Sequence, residues 1–193
     1  MKKPLLALTA AILFVAPAAF AAFAAFAAFA ADDEYPEGRI ELFGTRYSIA
    51  VSLGWDELAD SASEDAFGAG KIGFGIGLFR PEFRRGARFD ADFGYNRFAK
   101  GDSLAQTIGA AAGAHFNFVD PVREKTVPFA ELHAGPYWAK VSGNESEIVF
   151  GANAVIGVEL SDRVVLTARY DLLPDVAGFD LSAWSLGATV KVW

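Results

Sequence analysis

The chain has 193 residues, 53% of them hydrophobic, with 18 Phe, 19 Gly, no Cys and a formal net charge of −7. Without cysteine, a disulfide scaffold and a thiolate metal site are both excluded. The acidic balance lacks the basic excess that displaces counterions from phosphates, so no nucleic-acid partner is expected. A mean hydropathy of +0.26 is too high for a disordered chain.

The chain opens with Lys2 and Lys3, an apolar run from Leu5 to Val15, and small residues after it. This is the order of a secretory signal peptide. The stretch Ala18–Phe29 repeats Ala-Ala-Phe four times. Ala28 and Ala30 then offer an A-x-A cleavage site before Asp32, and Ala16-Pro17-Ala18 offers an earlier one. Residues 1–31 are read as the signal peptide and 32–38 as a short N-terminal segment. An uncleaved anchor is the rival reading, because the run is long enough to cross a bilayer. Removal of the leader leaves 15 basic against 24 acidic side chains, a net charge of −9.

From Ile40 onward the hydropathy alternates with period two, the signature of strands with unlike faces. The first segment sets Phe43, Tyr47, Ile49, Val51 and Leu53 against Arg46, Ser48, Ala50 and Ser52. The second sets Ile72, Phe74 and Ile76 against Lys71, Gly73 and Gly75, and the third sets Phe89, Phe93 and Tyr95 against Arg88, Asp90 and Asp92. The fourth opposes Ile108, Phe116 and Phe118 to Thr107, His115 and Asn117. In the fifth, Leu132 and Trp138 oppose Glu131, His133 and Tyr137, and Pro128 and Pro136 predict a bulge or an early strand end. The sixth opposes Ile148, Phe150 and Ile156 to Asn153, Val155 and Glu159, and the seventh opposes Leu166 and Tyr170 to Arg169 and Asp171. The eighth opposes Trp184 and Leu186 to Ser185, Thr189 and Lys191. Two kinds of linker alternate between these segments: Trp55–Ala66, Ala99–Leu104, Val141–Glu147 and Pro174–Asp180 at one end, and Arg80–Gly86, Val119–Lys125 and Ser161–Arg163 at the other. That alternation describes an up-and-down antiparallel meander. Strands of about 10–14 residues exceed those of soluble sheets and suit a tilted bilayer crossing.

Alternation alone does not say which face points inward, because a lipocalin-type barrel also alternates, with its apolar face inside. Two features favour the opposite arrangement. The polar phase is rich in glycine and alanine and carries a balanced charge set: Arg46, Lys71, Arg88, Arg169 and Lys191 against Asp90, Asp92, Glu131, Glu159 and Asp171, with His133 among them. These residues are expected to form a charge network that plugs the lumen. Aromatics also gather near the strand ends, with Trp55, Phe98, Trp138, Phe150, Phe179 and Trp184 at one end. Phe43, Phe79, Phe89, Phe116, Phe118, Phe129 and Trp193 lie at the other. They are expected to form two interfacial girdles.

A leader, eight alternating strands and an aromatic last residue, Trp193, together resemble the small outer-membrane barrels of Gram-negative bacteria, the opacity-protein and OmpA-transmembrane-like superfamily. The resemblance covers residues 39–193 and implies an all-β, eight-stranded antiparallel transmembrane barrel in the outer membrane. It also implies contact with outer-membrane lipid and lipopolysaccharide, and insertion by the barrel-assembly machinery. Lys191 and Thr189 occupy the phase of Trp193, where the superfamily usually carries hydrophobics.

Chemistry is sparse. His115 and His133 both lie on the polar phase, and Glu131 stands two residues from His133, so this carboxylate and imidazole are expected to meet. Lipid A deacylases share the fold and carry a His-x-Ser on the penultimate strand. This chain has Arg169-Tyr170-Asp171 at that place, so no catalytic residue is assigned and a structural or surface-interaction role is expected. A narrow pore is the other alternative, disfavoured because eight strands enclose only enough space for side chains to fill. No EF-hand spacing, P-loop, Rossmann fingerprint or HExxH occurs, so neither cofactor nor metal is expected. The loops of the first kind are acidic, through Asp56, Glu57, Asp60, Glu64, Asp65, Glu145, Glu147, Asp175 and Asp180. They could bind a cation or a basic surface partner, although a solvated acidic loop is the common case.

Overall fold

Strands with one apolar and one polar face bury backbone polar groups only if every strand finds two neighbours. The computed structural model shows how this is met. It describes residues 39–42, 45–79, 86–120, 123–160 and 164–192, and of residues 39–48, 78–79, 86–88 and 192 it describes the strand pairing alone. The elements in chain order are β1 (Arg39–Leu42), β2 (Thr45–Leu58), α1 (Ser61–Phe67), β3 (Lys71–Phe79), β4 (Gly86–Lys100), β5 (Ser103–Asn117), β6 (Val127–Val141), β7 (Glu147–Glu159), β8 (Val164–Leu172) and β9 (Ala183–Val192). Sequential strands pair antiparallel, and β2 also pairs with β9, from Ile49↔Val192 to Leu58↔Ala183. Strands β2–β9 therefore form a closed, eight-stranded, up-and-down barrel.

Two details differ from the sequence expectation. The single strand read from Ile40 to Leu53 is two: β1 folds back on β2, with Arg39 opposite Ser48 and Leu42 opposite Thr45. β2 then runs on to Leu58, through what reads as a loop from Trp55. Its neighbours reach that far, with Asp56 opposite both Lys71 and Ser185, so ending the strand earlier would leave ladder groups unpaired. The second difference is at Pro136. β6 continues through both prolines for 15 residues. Its ladder with β5 omits Ala110–Pro136 and Ala111–Gly135 and resumes in the same register. Proline has no N–H to donate, and Gly135 lets the two backbones close up there. A Cβ at Gly135 would lie 2.1 Å from the Ala110 carbonyl oxygen.

The two faces separate sharply. Ile72, Phe89, Leu132, Ile148, Phe150 and Ile156 stand on the outside, with Ile148 77% and Phe150 70% exposed. On the inside, Asp90, His115, Asn117, His133, Asn153 and Asp171 are buried. Lumenal glycines make room for the large inner rings. A Cβ at Gly109 would lie 2.3 Å from the Tyr137 ring, and one at Gly157 would lie 2.3 Å from the Phe129 ring.

These contacts separate two substitutions that look alike in sequence. At Gly77, on the same inner phase, a Cβ meets nothing nearer than the Ala50 Cβ at 3.9 Å. Gly109→Ala is expected to lower unfolding free energy in detergent micelles by about 1–3 kcal/mol through overpacking. Gly77→Ala should stay within about 0.5–1 kcal/mol of wild type, as read from urea-unfolding midpoints.

Candidate functional site

The barrel interior brings together the titratable side chains that the sequence scatters over β3 to β9. Toward the short-turn end, Lys191 Nζ donates to Glu159 Oε2 at 2.8 Å. Beside them, His115 Nδ1 lies 2.6 Å from Glu131 Oε1 and 3.5 Å from Asp90 Oδ2, while His115 Nε2 meets Asn117 Oδ1 at 2.8 Å. His133 uses Nε2 toward Asp90 Oδ1 at 2.7 Å and Nδ1 toward Asn153 Oδ1 at 3.0 Å. Glu131 and His133 are thus not partners, contrary to the sequence expectation. Two residues apart on one strand they stand side by side, whereas the ladder sets His115 directly opposite Glu131, and directly opposed side chains are the closer pair.

The next level is built on Arg169. Its guanidinium holds Asp171 through Nε at 2.9 Å and a terminal nitrogen at 2.7 Å, and it also binds the Asp92 carboxylate. Tyr137 joins this group, donating to Asp171 Oδ1 at 3.2 Å and accepting from the Asn153 amide at 3.2 Å. Lys71 is half-buried opposite Asp56. Of Arg46 and Arg88 the strand pairing alone is described, with Arg46 opposite Glu41 and Arg88 opposite His115. Sequence reading of the network passed over Asn117, Tyr137 and Asn153. All three lie on the polar phase, and only the strand register shows what they touch.

An apolar layer closes the long-loop mouth above the charges. Leu58, Phe67, Phe98, Tyr137, Val141 and Leu181 are buried together there, and Phe179 meets Phe67 edge-on at 4.8 Å between ring centroids. Phe98 therefore does not belong to an interfacial girdle. It points inward with Asn96 and Asp92, and Phe129 is likewise inward, stacked on His115 at 4.6 Å. Phe179, packed on Phe67, likewise belongs to the mouth layer and not to a girdle; of the other aromatics, Trp55 and Trp138 are half-buried and Phe89, Phe116, Phe118, Phe150 and Trp184 are exposed. Trp184 packs on Tyr170 at 4.4 Å. Phe79 is placed by register only, opposite Ser48. Trp193, Phe43 and the leader 1–31 lie outside the described residues.

The acidic group expected at the first long loop is dispersed. Asp56 is 4% exposed and points inward, where the orientation that satisfies both ends of the Asn96 amide turns its nitrogen to Asp56 Oδ2 at 3.0 Å. Asp60 caps α1, accepting from the Ser63 N–H at 2.8 Å, and this bond holds its carboxyl below the ordinary aspartate range. Gly68 ends the helix at φ +88°, a left-handed conformation open to glycine.

Two outcomes follow. Arg169→Met strands two carboxylates in the lumen and should cost about 3 kcal/mol of unfolding free energy. The neutral triple variant Arg169→Met, Asp92→Asn, Asp171→Asn should recover most of that loss, both read from urea titrations in micelles. Because the Asp60 carboxyl is depressed in the folded state, its contribution is complete above the unfolded value of about 4 and is lost as pH falls through the folded one. Protection of the Ser63 amide against hydrogen exchange should therefore fall below pH ~4 in wild type and stay level in Asp60→Asn, whose cap does not titrate.

No protein-family model and no curated protein sequence matches the chain. Among solved structures it is similar to Neisserial surface protein A, at 18% identity and a TM-score of 0.54 over 76% of this chain and 96% of that one. It is also similar to Ail, the attachment invasion locus protein of Yersinia pestis, at 19% identity and a TM-score of 0.47 over 75% and 97%. The outer membrane enzyme PagL is a further neighbour, at 13% identity and a TM-score of 0.48 over 76% and 99%. With its closed meander, apolar exterior and charged interior, the chain has the fold of the small eight-stranded outer-membrane β-barrels.

Proposed function

We propose that the protein is exported by the leader 1–31, resides in the outer membrane, and acts as a non-conducting, non-catalytic barrel that presents its long-loop end as an interaction surface. The observation that carries this reading is the double closure of the lumen. Ion pairs through Arg169, Asp92 and Asp171 fill the middle, and the apolar layer around Phe67 and Phe98 covers the long-loop mouth. Ions would have to break desolvated charge pairs and then cross a dry layer, and each step is costly.

The exposed Ile, Leu and Phe side chains of the outer face form a surface far too apolar for water, which suits outer-membrane lipid and the acyl chains of lipopolysaccharide. Such a barrel reaches the membrane through the assembly machinery. At the long-loop end Glu64, Asp65, Glu145, Glu147 and Asp175 remain on the surface and suit a cation or a basic partner. A deacylase-like reaction has little support. At the place of the His-x-Ser motif, Arg169 and Asp171 are bound to each other inside the barrel, and Tyr170 packs outside against Trp184.

The test is fractionation with electrophoresis of boiled and unboiled samples. The protein should sediment with outer membranes, migrate faster unboiled, and give planar bilayers no conductance above baseline. Lipid A from a deletion strain should keep its acylation pattern by mass spectrometry. Recovery in the soluble fraction, open-channel currents, or an altered acyl pattern would each overturn the corresponding part of the reading.

A further inference from the structure

The outer wall carries a row of polar side chains near its long-loop end. Arg97 on β4 stands opposite Gln106 on β5, and Gln106 stands opposite Lys140 on β6. All three fall on the outward phase, Arg97 with Phe93, Gln106 with Ile108 and Lys140 with Leu132, and both cations are exposed. The next outward row toward the middle of the wall is Tyr95, Ile108, Trp138 and Ile148. Tyrosine and tryptophan at the edge of an apolar band mark headgroup depth, so the polar row above them stands where lipid headgroups lie.

The two cations contrast with what surrounds them. The loops beyond them are acidic, and on β2 the outward residue near the same end is Glu57, opposite Trp184. Lys100, at the end of β4, is taken up by the Asp65 carbonyl at 2.7 Å. Among the described residues Arg97 and Lys140 form no ion pair. Long basic side chains at this depth lay their apolar stems along the wall and carry the charge to the headgroups.

Strands about 4.8 Å apart place the Arg97 and Lys140 backbones roughly 10 Å from each other, a gap that two side chains of this length close around one anion. Gln106, between them, donates its amide N–H to the Tyr95 hydroxyl, with Nε2 at 3.2 Å from Oη. With that oxygen accepting, the Tyr95 proton is left to donate. A guanidinium fork, an ammonium and a phenol therefore border one place on the wall. Two full charges match a phosphate monoester, at about −1.5 to −2 near pH 7, better than the single charge of a phosphodiester. The apolar row directly below selects an amphiphile as the carrier of that phosphate.

We propose that Arg97, Tyr95 and Lys140 bind the monoester phosphate of a glycolipid in the leaflet at the long-loop end, with its acyl chains along Ile108 and the wall beneath. The inference rests on the outer-membrane residence proposed above and assigns specific lipid contact to one side of the barrel, β4 to β6.

The experiment titrates the full chain in micelles with bis-phosphorylated lipid A and counts bound lipid by native mass spectrometry. EDTA is present, so that no divalent cation bridges lipid to the acidic loops. About one lipid per chain is expected, and Arg97→Gln and Lys140→Gln should each weaken binding by about 10-fold. Arg123→Gln with Lys125→Gln, on the exposed turn at the other end, should leave it unchanged. Lipid A stripped of its phosphates, and phosphatidylglycerol, should bind wild type no better than lipid A binds the Arg97→Gln, Lys140→Gln double variant. The site is overturned if wild type takes those two lipids as well as lipid A, or if the double variant binds as wild type does. Displacement of lipid A by inorganic phosphate, or a dimer whose interface keeps lipid off this side, overturns it as well. Membrane fractionation separates the two readings: wild type in the soluble fraction overturns both, whereas an outer-membrane protein indifferent to the phosphate overturns this one alone.

Discussion

Closure of the sheet by β2 and β9 is the constraint on which the other features depend. In hydrocarbon an unpaired backbone N–H or carbonyl costs several kcal/mol, so a spanning sheet cannot keep an edge. Ten residue pairs from Ile49↔Val192 to Leu58↔Ala183 remove that edge. Once the ladder is a ring, each strand has one face toward the surroundings and one toward a narrow interior. With eight strands that interior is only wide enough for side chains, so every polar group assigned to it has to be satisfied by another.

The lumen meets that demand by layering. Arg169 serves two carboxylates and contacts the Tyr137 hydroxyl, which fits the planar fork of a guanidinium better than the point charge of a lysine. Lys191, a point charge, has the single carboxylate of Glu159 at 2.8 Å. The two histidines act as connectors: each joins a carboxylate to an asparagine, and both reach Asp90. Glycines on the inner phase supply the volume. The rings of Tyr137 and Phe129 occupy space that side chains at Gly109 and Gly157 would otherwise need. At the long-loop end polar pairing gives way to apolar packing, because Phe98, Val141 and Ala139 at the strand ends meet Phe67 of α1 and Leu181 and Val176 of the last loop. The same arrangement that satisfies the interior also fills it with side chains, from the ion pairs of Arg169 to the apolar layer at the long-loop mouth.

Much of this is written in the order of residues. A period of two, sustained through eight segments with alternating linkers, specifies strands, their faces and an up-and-down path, since a strand turns each successive side chain to the opposite face. The choice of the charged face as the interior also follows from the sequence, because Arg169, Asp171, Asp90 and Asp92 fall on the phase that is rich in glycine. Pairings within the lumen do not follow in the same way. They depend on register, and neither His115 with Glu131 nor His133 with Asp90, 43 residues away, leaves a local signature. Asp56 and Phe98 illustrate the same limit. Near a strand end, residue type suggests a loop acid or an interfacial aromatic, while the length of the neighbouring strands draws both inside.

The sequence by itself thus determined the architecture and the polarity of its two faces, because these depend on periodicity and composition along a single strand. Only the tertiary structure decided which charges meet, that an apolar layer seals the long-loop mouth, and that two cations from β4 and β6 share one row of the outer wall. Those outcomes depend on side chains brought together by hydrogen-bonded register across strands, a distance that no local pattern encodes.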